Sequence, residues 1–251
     1  MIDTTNTEFD EELSDTIPVP SMLDWLRDIV QHSDMIRTLP VDKIVYRVRS
    51  HTRTETCDTW DSLGSPPNLY APSNRMSAAG ISVFYGAYEM ATAVVEASAS
   101  APQDLILTGA AWTCSRPLHL LDLSALPEVP SLFKASRDER GAILFLAEFV
   151  KSITAPVEHD GRERIDYVPT QILTEYFRNL VKGPGGAPLD GIAYPSARRP
   201  RGRSIVIFAS HDDLDPDKSR GDESLLKLVE NSIKRLPRPE SSPAPKARKA
   251  P

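Results

Sequence analysis

The sequence predicts an α+β domain with disordered termini. Short runs with strand-like alternation are mixed irregularly with amphipathic helical patterns, and no regular βαβ repeat is visible. Hydrophobic residues make up 40% and charged residues 25% of the 251 positions, which is ordinary for a globular protein. This length is sufficient for one large domain or two small ones.

Both ends of the chain are predicted to be disordered. Residues 1–20 form an acidic arm without a basic residue, and residues 237–251 form a basic, proline-rich tail. A basic tail is compatible with nucleic acid or with an acidic protein partner. Prolines and serines interrupt its charges, however, which favours a solvated, disordered segment. We therefore do not expect nucleic acid as a partner.

Apolar periodicity predicts the elements between these ends. A helical segment covers 21–40, and a strand over 43–49 follows, in which Arg47 and Arg49 share one face. The segment 50–82 is rich in Thr, Ser, Pro, Asn and Gly, and a loop of this length inside a compact domain is usually functional or disordered. The remaining elements, in chain order, are a strand at 81–85, a helix at 88–98, strands at 105–114 and 118–123, helices at 142–153 and 169–180, strands at 191–194 and 204–209, and a helix at 225–236.

The sequence argues against several classes of protein. Cys57 and Cys114 are far apart and belong to no CxxC pair, so they predict neither a disulfide framework nor a zinc site. None of His51, His119 and His211 has a second ligand at metal spacing. The N-terminus lacks the pattern of a secretory signal, and no apolar run is long enough to cross a membrane. We therefore expect a cytoplasmic protein with no metal and no membrane contact.

Four segments carry residues that suit a common chemistry. They are Tyr-Arg-Val-Arg at 46–49, the stretch 74–87 with Asn-Arg-Met and Phe-Tyr-Gly-Ala, Ala-Val-Val-Glu at 93–96, and Gly-Ile-Ala-Tyr-Pro-Ser-Ala-Arg at 191–198. Arg47 on a strand, Glu96 near a helix end and Ser196 after a strand, in this order, resemble the RES domain family, which is named for such an Arg, Glu and Ser. The resemblance runs from about residue 44 to residue 208.

The resemblance implies an ADP-ribosyltransferase-like mixed β core with flanking helices, in a catalytic domain over 41–212 followed by a C-terminal helix over 213–236. It implies an enzyme that cleaves the nicotinamide–ribose bond of NAD⁺, by hydrolysis or by phosphorolysis with phosphate as co-substrate. Known members are toxins of bacterial toxin–antitoxin pairs. A cognate antitoxin is therefore implied as a partner, and no cofactor is needed because NAD⁺ is the substrate. A homodimer is a separate expectation that does not follow from the resemblance.

The residue types fit this reaction. A guanidinium fork matches phosphate oxygens, so Arg47 is the first choice for the pyrophosphate of NAD⁺ and Arg75 is the second. The carboxylate of Glu96 stabilises the positive charge that develops on ribose as nicotinamide leaves. Tyr85 stacks on nicotinamide or hydrogen-bonds the ribose, and Ser196 positions a ribose hydroxyl or a phosphate. Glu96, Arg47 and Ser196 thus form the expected catalytic set, and Arg75 and Tyr85 are expected to bind substrate.

Each of these residues also has a purely structural interpretation. Arg47 and Glu96 are compatible with plain exposure, Tyr85 with the core and Ser196 with a turn, but their combined order favours a shared site. Two other functions stay open: a non-catalytic module that binds a nucleotide or a partner, and a protein ADP-ribosyltransferase. The basic stretch 198–203 is either an anion-binding rim or a solvated loop.

Overall fold

The structure is a computed structural model that describes residues 19–99, 101–129, 137–155, 163–217 and 224–239. The predicted disorder of the acidic arm and the basic tail falls almost wholly on residues outside these ranges. The predicted α+β class is confirmed, because helices and a mixed sheet alternate irregularly along the described chain.

The described strands form one mixed sheet of nine strands. They are β1 (Ile36–Leu39), β2 (Ile44–His51), β3 (Phe84–Ala87), β4 (Ile106–Cys114), β5 (Leu118–Asp122), β6 (Gly191–Pro195), β7 (Arg203–Ile207), β8 (Leu226–Leu228) and β9 (Lys234–Leu236). Their order across the sheet is β1-β5-β6-β7-β3-β2-β4-β8, and β9 also pairs with β4. Among these strands, β5 and β6 run parallel and the other pairs are antiparallel.

Helices pack against both faces of this sheet. They are α1 (Val19–His32), α2 (Trp60–Leu63), α3 (Met90–Ala99), α4 (Arg137–Thr154), α5 (Glu163–Asp166) and α6 (Val168–Leu180). The long helices α1, α4 and α6 pack together, and α3 packs across β2 and β4. Short 3-10 turns occur at Asn68–Tyr70, Pro184–Gly186 and Asp212–Leu214.

Two hydrophobic cores lie on opposite faces of the sheet. Strand β7 shows why, because successive side chains of a strand point to opposite faces: Val206 belongs to the core under α1, α4 and α6, and Ile205 and Ile207 belong to the other. Phe177 and Trp112 are fully buried, one in each core. Full burial of each large apolar side chain stabilises the fold by about 1.5–3 kcal/mol.

The predicted C-terminal helix over 225–236 is wrong, and strands β8 and β9 occupy this segment. Both strands pair with β4, whose edge would otherwise expose unpaired backbone groups. Asn231 lies between them with φ 58°, a left-handed conformation that asparagine tolerates and a helix does not contain. The apolar spacing of this segment resembles a helix, but pairing with β4 overrides it.

The predicted helical segment over 21–40 is also too long. Helix α1 ends at His32, and β1 pairs with β5 from Ile36 to Leu39. Sheet pairing again overrides the local pattern, because β1 supplies the outer partner of β5.

The sheet is discontinuous between β2 and β3, and this gap positions the candidate site. These strands pair only at Tyr46 and Ala87, whereas β2 pairs along its whole length with β4 and β3 along its whole length with β7. Gly86 lies at the closest approach, where an added β-carbon would be 2.9 Å from the carbonyl oxygen of Tyr46. Beyond this point β2 and β3 separate, and a cavity opens between them.

Candidate active site

The cavity between β2 and β3 has a volume of about 950 Å³, within the range of small-molecule sites. Strand β2 forms one wall, β3 and α3 form a second, and the loop over 52–83 forms a third. The charged side chains that line it are Arg47, Arg49, Glu55, Asp61 and Glu96. Both arginines come from one face of β2, as the alternation predicts.

Arg47 carries a charge for which the described part of the chain shows no ion-pair partner. Its Nη1 donates to the carbonyl oxygen of Tyr85 at 2.8 Å, and its guanidinium lies 5.3 Å from the ring centre of Phe84. Its Nε is buried and has no hydrogen-bond partner in the described part of the chain. Burial, and then the nearby charge of Arg49, lowers the pKa of Arg47 to about 10, so the group stays charged at neutral pH.

An uncompensated guanidinium in a cavity favours binding of an anion. A buried charge is costly unless it is paired and hydrogen-bonded. Among the described groups that act on the pKa of Arg47 there is no carboxylate. A phosphate oxygen in the cavity would supply the missing counter-charge to the guanidinium.

Arg49 is the second guanidinium of the cavity, and it is held by the protein itself. It forms an ion pair with Glu55 and donates from Nη1 to the carbonyl oxygen of Ser62 at 2.7 Å. The Arg49 side chain is 40% exposed, so the pair contributes little to stability. Arg49 was not among the predicted site residues, although the alternation of β2 places it beside Arg47.

Glu96 and Ser196 meet on the opposite wall. The hydroxyl of Ser196 donates to the carboxylate of Glu96. The same Ser196 oxygen accepts the backbone N–H groups of Arg198 at 3.2 Å and Arg199 at 3.0 Å. Glu96 lies in the last turns of α3, where the helix dipole disfavours a negative charge, and the Ser196 hydroxyl offsets this cost.

Glu96 lines the cavity, and Ser196 lies behind it. The Ser196 oxygen thus accepts the N–H groups of its own turn, as the turn interpretation expects, and its proton orients Glu96. Ser196 acts on the cavity through the carboxylate that it holds.

Two tyrosines complete the wall next to Glu96. Burial raises the pKa of Tyr85 to about 12, and its hydroxyl lies 3.2 Å from the hydroxyl of Ser77. Burial, followed by the neighbouring charges of Tyr85 and Glu96, raises the pKa of Tyr194 above that of an ordinary tyrosine. Both phenols therefore stay neutral at physiological pH, and both line the cavity. Tyr194 was quoted in the sequence motif but given no role.

Arg75, the predicted second phosphate ligand, points away from the cavity. Its Nη1 donates to the carbonyl oxygen of Ser152 at 2.7 Å, and its guanidinium lies 5.1 Å from the ring centre of Tyr167. The carbonyl oxygen of Arg75 accepts the hydroxyl of Thr170 at 2.5 Å. These contacts tie the loop to α4 and α6, so Arg75 supports the wall and Arg49 is the second cation of the site.

The basic stretch 198–203 packs on α3. Arg199 lies 3.7 Å from Glu89 and donates to the hydroxyl of Thr92 at 3.1 Å. The guanidinium of Arg203 lies 4.3 Å from the ring centre of Tyr88. This stretch therefore fixes the turn that carries Ser196, and does not line the cavity.

Neither cysteine is placed to act as a nucleophile. Cys57 and Cys114 are buried and unpaired. Burial raises the pKa of both thiols, that of Cys114 to about 11. Among the described residues, no group of three or more His, Cys, Asp or Glu side chains is arranged to hold a metal ion. None of the helices in the described ranges combines the length and the apolar character that a bilayer crossing requires.

Comparison with known protein families identifies the chain's family. The model of a family described as the RES domain matches residues 44–227, and this span contains Arg47, Tyr85, Glu96 and Ser196. No curated protein matches the sequence significantly.

Proposed function

Since the chain belongs to the RES domain family, we propose that its cavity binds NAD⁺ and that the protein cleaves the bond between nicotinamide and ribose. The observation that carries this proposal is the convergence of Arg47 and Glu96 on one cavity, although they lie on different elements. A fixed cation and a fixed carboxylate match the two charged parts of NAD⁺, its pyrophosphate and its positively charged nicotinamide ribose.

The pyrophosphate end of the substrate is assigned to β2. The guanidinium of Arg47 lines the cavity and carries donors and a charge that match phosphate oxygens. Arg49 lies two positions further on the same face and is held by Glu55. When a phosphate approaches, Arg49 exchanges Glu55 for a phosphate oxygen, so both arginines bind the pyrophosphate.

The reacting end is assigned to Glu96. As the C–N bond breaks, nicotinamide leaves with the bonding electron pair as a neutral molecule, and positive charge develops on the ribose ring. A carboxylate held beside this charge stabilises the transition state. A water molecule or a phosphate oxygen then bonds to the ribose carbon, and water releases one proton. The rings of Tyr85 and Tyr194 flank this position.

An ADP-ribosyltransferase-like architecture is part of the proposal. The gap between β2 and β3, with ligand-binding side chains on both sides, supports it. The predictions that the protein acts as a toxin and that a cognate antitoxin neutralises it rest on family membership alone. The homodimer also remains a prediction.

Incubation of purified protein with NAD⁺, with and without phosphate, tests the proposal. Free ADP-ribose identifies hydrolysis, and ADP-ribose-1″-phosphate identifies phosphorolysis. ADP-ribose attached to an added protein identifies the transferase alternative. Binding of NAD⁺ without loss under any condition would contradict cleavage and identify a non-catalytic binding module.

A further inference from the structure

Two large apolar side chains are strongly exposed on neighbouring positions of the loop that walls the cavity. Leu69 is 86% and Tyr70 is 74% exposed. Tyr70 lines the cavity, whereas Leu69 lies outside its lining. The mechanism above gives Tyr70 no role, and a tyrosine ring presented to a cavity offers a flat, free surface.

The segment that carries Tyr70, residues 66–72, is held in one conformation. The backbone N–H of Tyr70 donates to the carbonyl oxygen of Pro67 at 2.9 Å. Ser82 holds the segment by two hydrogen bonds. Its backbone N–H donates to Asn68 Oδ1 at 3.1 Å, and its hydroxyl donates to the carbonyl oxygen of Pro66 at 2.6 Å.

The far end of the same segment is closed by Gly80. Its N–H donates to the carbonyl oxygen of Ala71 at 3.0 Å, and its φ of 86° is a conformation that glycine adopts without strain. Prolines at 66, 67 and 72 restrict the backbone further. The backbone that carries Tyr70 is therefore restricted before a ligand binds, so binding to the exposed Tyr70 ring costs little backbone entropy.

We infer that Tyr70 is the stacking platform for the purine base of a dinucleotide substrate. This inference rests on the proposed function and specifies its substrate class. Tyr85 and Tyr194 are partly buried next to Glu96 and are assigned to the reacting ribose, while Tyr70 lies on the loop wall with its ring exposed. A base stacks on an exposed aromatic ring through its π-face without needing a hydrogen-bond partner.

Adenine is the group of NAD⁺ that remains to be accommodated. In the proposed function Arg47 and Arg49 bind the pyrophosphate, and Glu96, Tyr85 and Tyr194 surround the nicotinamide ribose. Tyr70 therefore favours nucleotides that carry adenine, such as NAD⁺, over nicotinamide mononucleotide, which lacks this base.

Titration of four proteins with two ligands tests this inference. The proteins are the wild type, Tyr70→Ala, Tyr70→Phe and the matched control Leu69→Ala, and the ligands are ADP and inorganic pyrophosphate. Tyr70→Ala is expected to weaken ADP binding roughly five- to a hundredfold and to leave pyrophosphate binding unchanged. Tyr70→Phe and Leu69→Ala are expected to bind both ligands as the wild type does.

Equal ADP affinity in the wild type and in Tyr70→Ala would overturn the inference. It would also be overturned if Tyr70→Ala weakened pyrophosphate binding as much as ADP binding, or if Leu69→Ala weakened ADP binding as much as Tyr70→Ala does. Absence of ADP binding to the wild type would overturn it as well. These titrations do not depend on turnover, so loss of the proposed activity and loss of the stacking role give different results. A wild type that binds ADP through Tyr70 but leaves NAD⁺ intact would refute cleavage alone.

Discussion

The hydroxyl of Ser196 donates a hydrogen bond to the carboxylate of Glu96, although 100 positions of sequence separate the two residues. The Ser196 oxygen is in turn held by two backbone N–H groups of its own turn. The direction of the Glu96 carboxylate is therefore set by the turn after β6 as well as by α3. In the proposed mechanism, Ser196 is therefore a positioning residue that acts on the substrate through Glu96.

Replacement of Ser196 by alanine is expected to lower kcat for NAD⁺ cleavage with little change in KM. Loss of a hydrogen bond to a charged group corresponds to roughly a ten- to hundredfold loss of rate. Steady-state kinetics measure kcat and KM of Ser196→Ala and of Ser196→Thr. The threonine variant keeps a hydroxyl and should recover part of kcat. The control is Ser98→Ala, because Ser98 lies on the same helix and donates only to the carbonyl oxygen of Val95. A raised KM with unchanged kcat in Ser196→Ala would instead indicate direct substrate contact.

Arg47→Lys is expected to weaken NAD⁺ binding by roughly ten- to a hundredfold, because a planar fork that makes charged hydrogen bonds becomes a point charge. Arg75→Lys is the matched control and is expected to bind NAD⁺ as the wild type does, since the Arg75 guanidinium contacts Ser152 and Tyr167. Calorimetric titration of both variants gives the comparison. Equal weakening in the two variants would contradict the assignment of the pyrophosphate to Arg47.

Arg116→Ala is expected to lower the free energy of unfolding by about 2 kcal/mol, because it removes the bidentate partner of a buried carboxylate. Arg116 donates to Asp190 at 2.6 and 3.1 Å, and the Asp190 side chain is only 7% exposed. Arg37→Ala is the control, since the ion pair of Arg37 with Asp34 is exposed on both sides; a change below about 0.5 kcal/mol is expected there. Urea unfolding measures the free energy of unfolding of both variants. Equal losses would show that the buried pair with Asp190 contributes no more to stability than the exposed pair of Arg37.

Neither cysteine is expected to react with iodoacetamide in the folded protein at mildly alkaline pH. Burial excludes the reagent and raises the pKa of the Cys114 thiol to about 11 and that of Cys57 above its usual value, so little thiolate is present. In concentrated urea both thiols should be alkylated. Mass spectrometry with and without urea distinguishes these states, and rapid alkylation of native Cys57 would show that this wall of the cavity opens.

Much of the site was predictable because its residues lie on regular elements. Strand alternation predicted that Arg47 and Arg49 share a face, and the order of Arg47, Glu96 and Ser196 predicted the family, which is confirmed. The β2–β3 gap was not predictable, because strand pairing depends on contacts between distant segments. The helix expected over 225–236 failed for the same reason, since only the unpaired edge of β4 decides between helix and strand there.

The loop over 52–83 was the least predictable part of the site. The composition of residues 50–82 indicated a loop that is functional or disordered, but the direction of each side chain depends on its path through the fold. Arg75 is turned outward by contacts with α4 and α6, and Tyr70 is turned toward the cavity by the hydrogen bonds of Ser82 and Gly80. Neither direction leaves a periodic signal in the sequence.

The rate of NAD⁺ loss with Glu96→Gln, compared with the wild type, tests the central claim most directly. Glutamine keeps the shape of the side chain and an oxygen that accepts from Ser196, but it removes the negative charge that faces the ribose. We expect Glu96→Gln to bind NAD⁺ with unchanged affinity and to cleave it roughly a hundredfold or more slowly. A Glu96→Gln protein that cleaves NAD⁺ as fast as the wild type would show that this carboxylate does not stabilise the transition state.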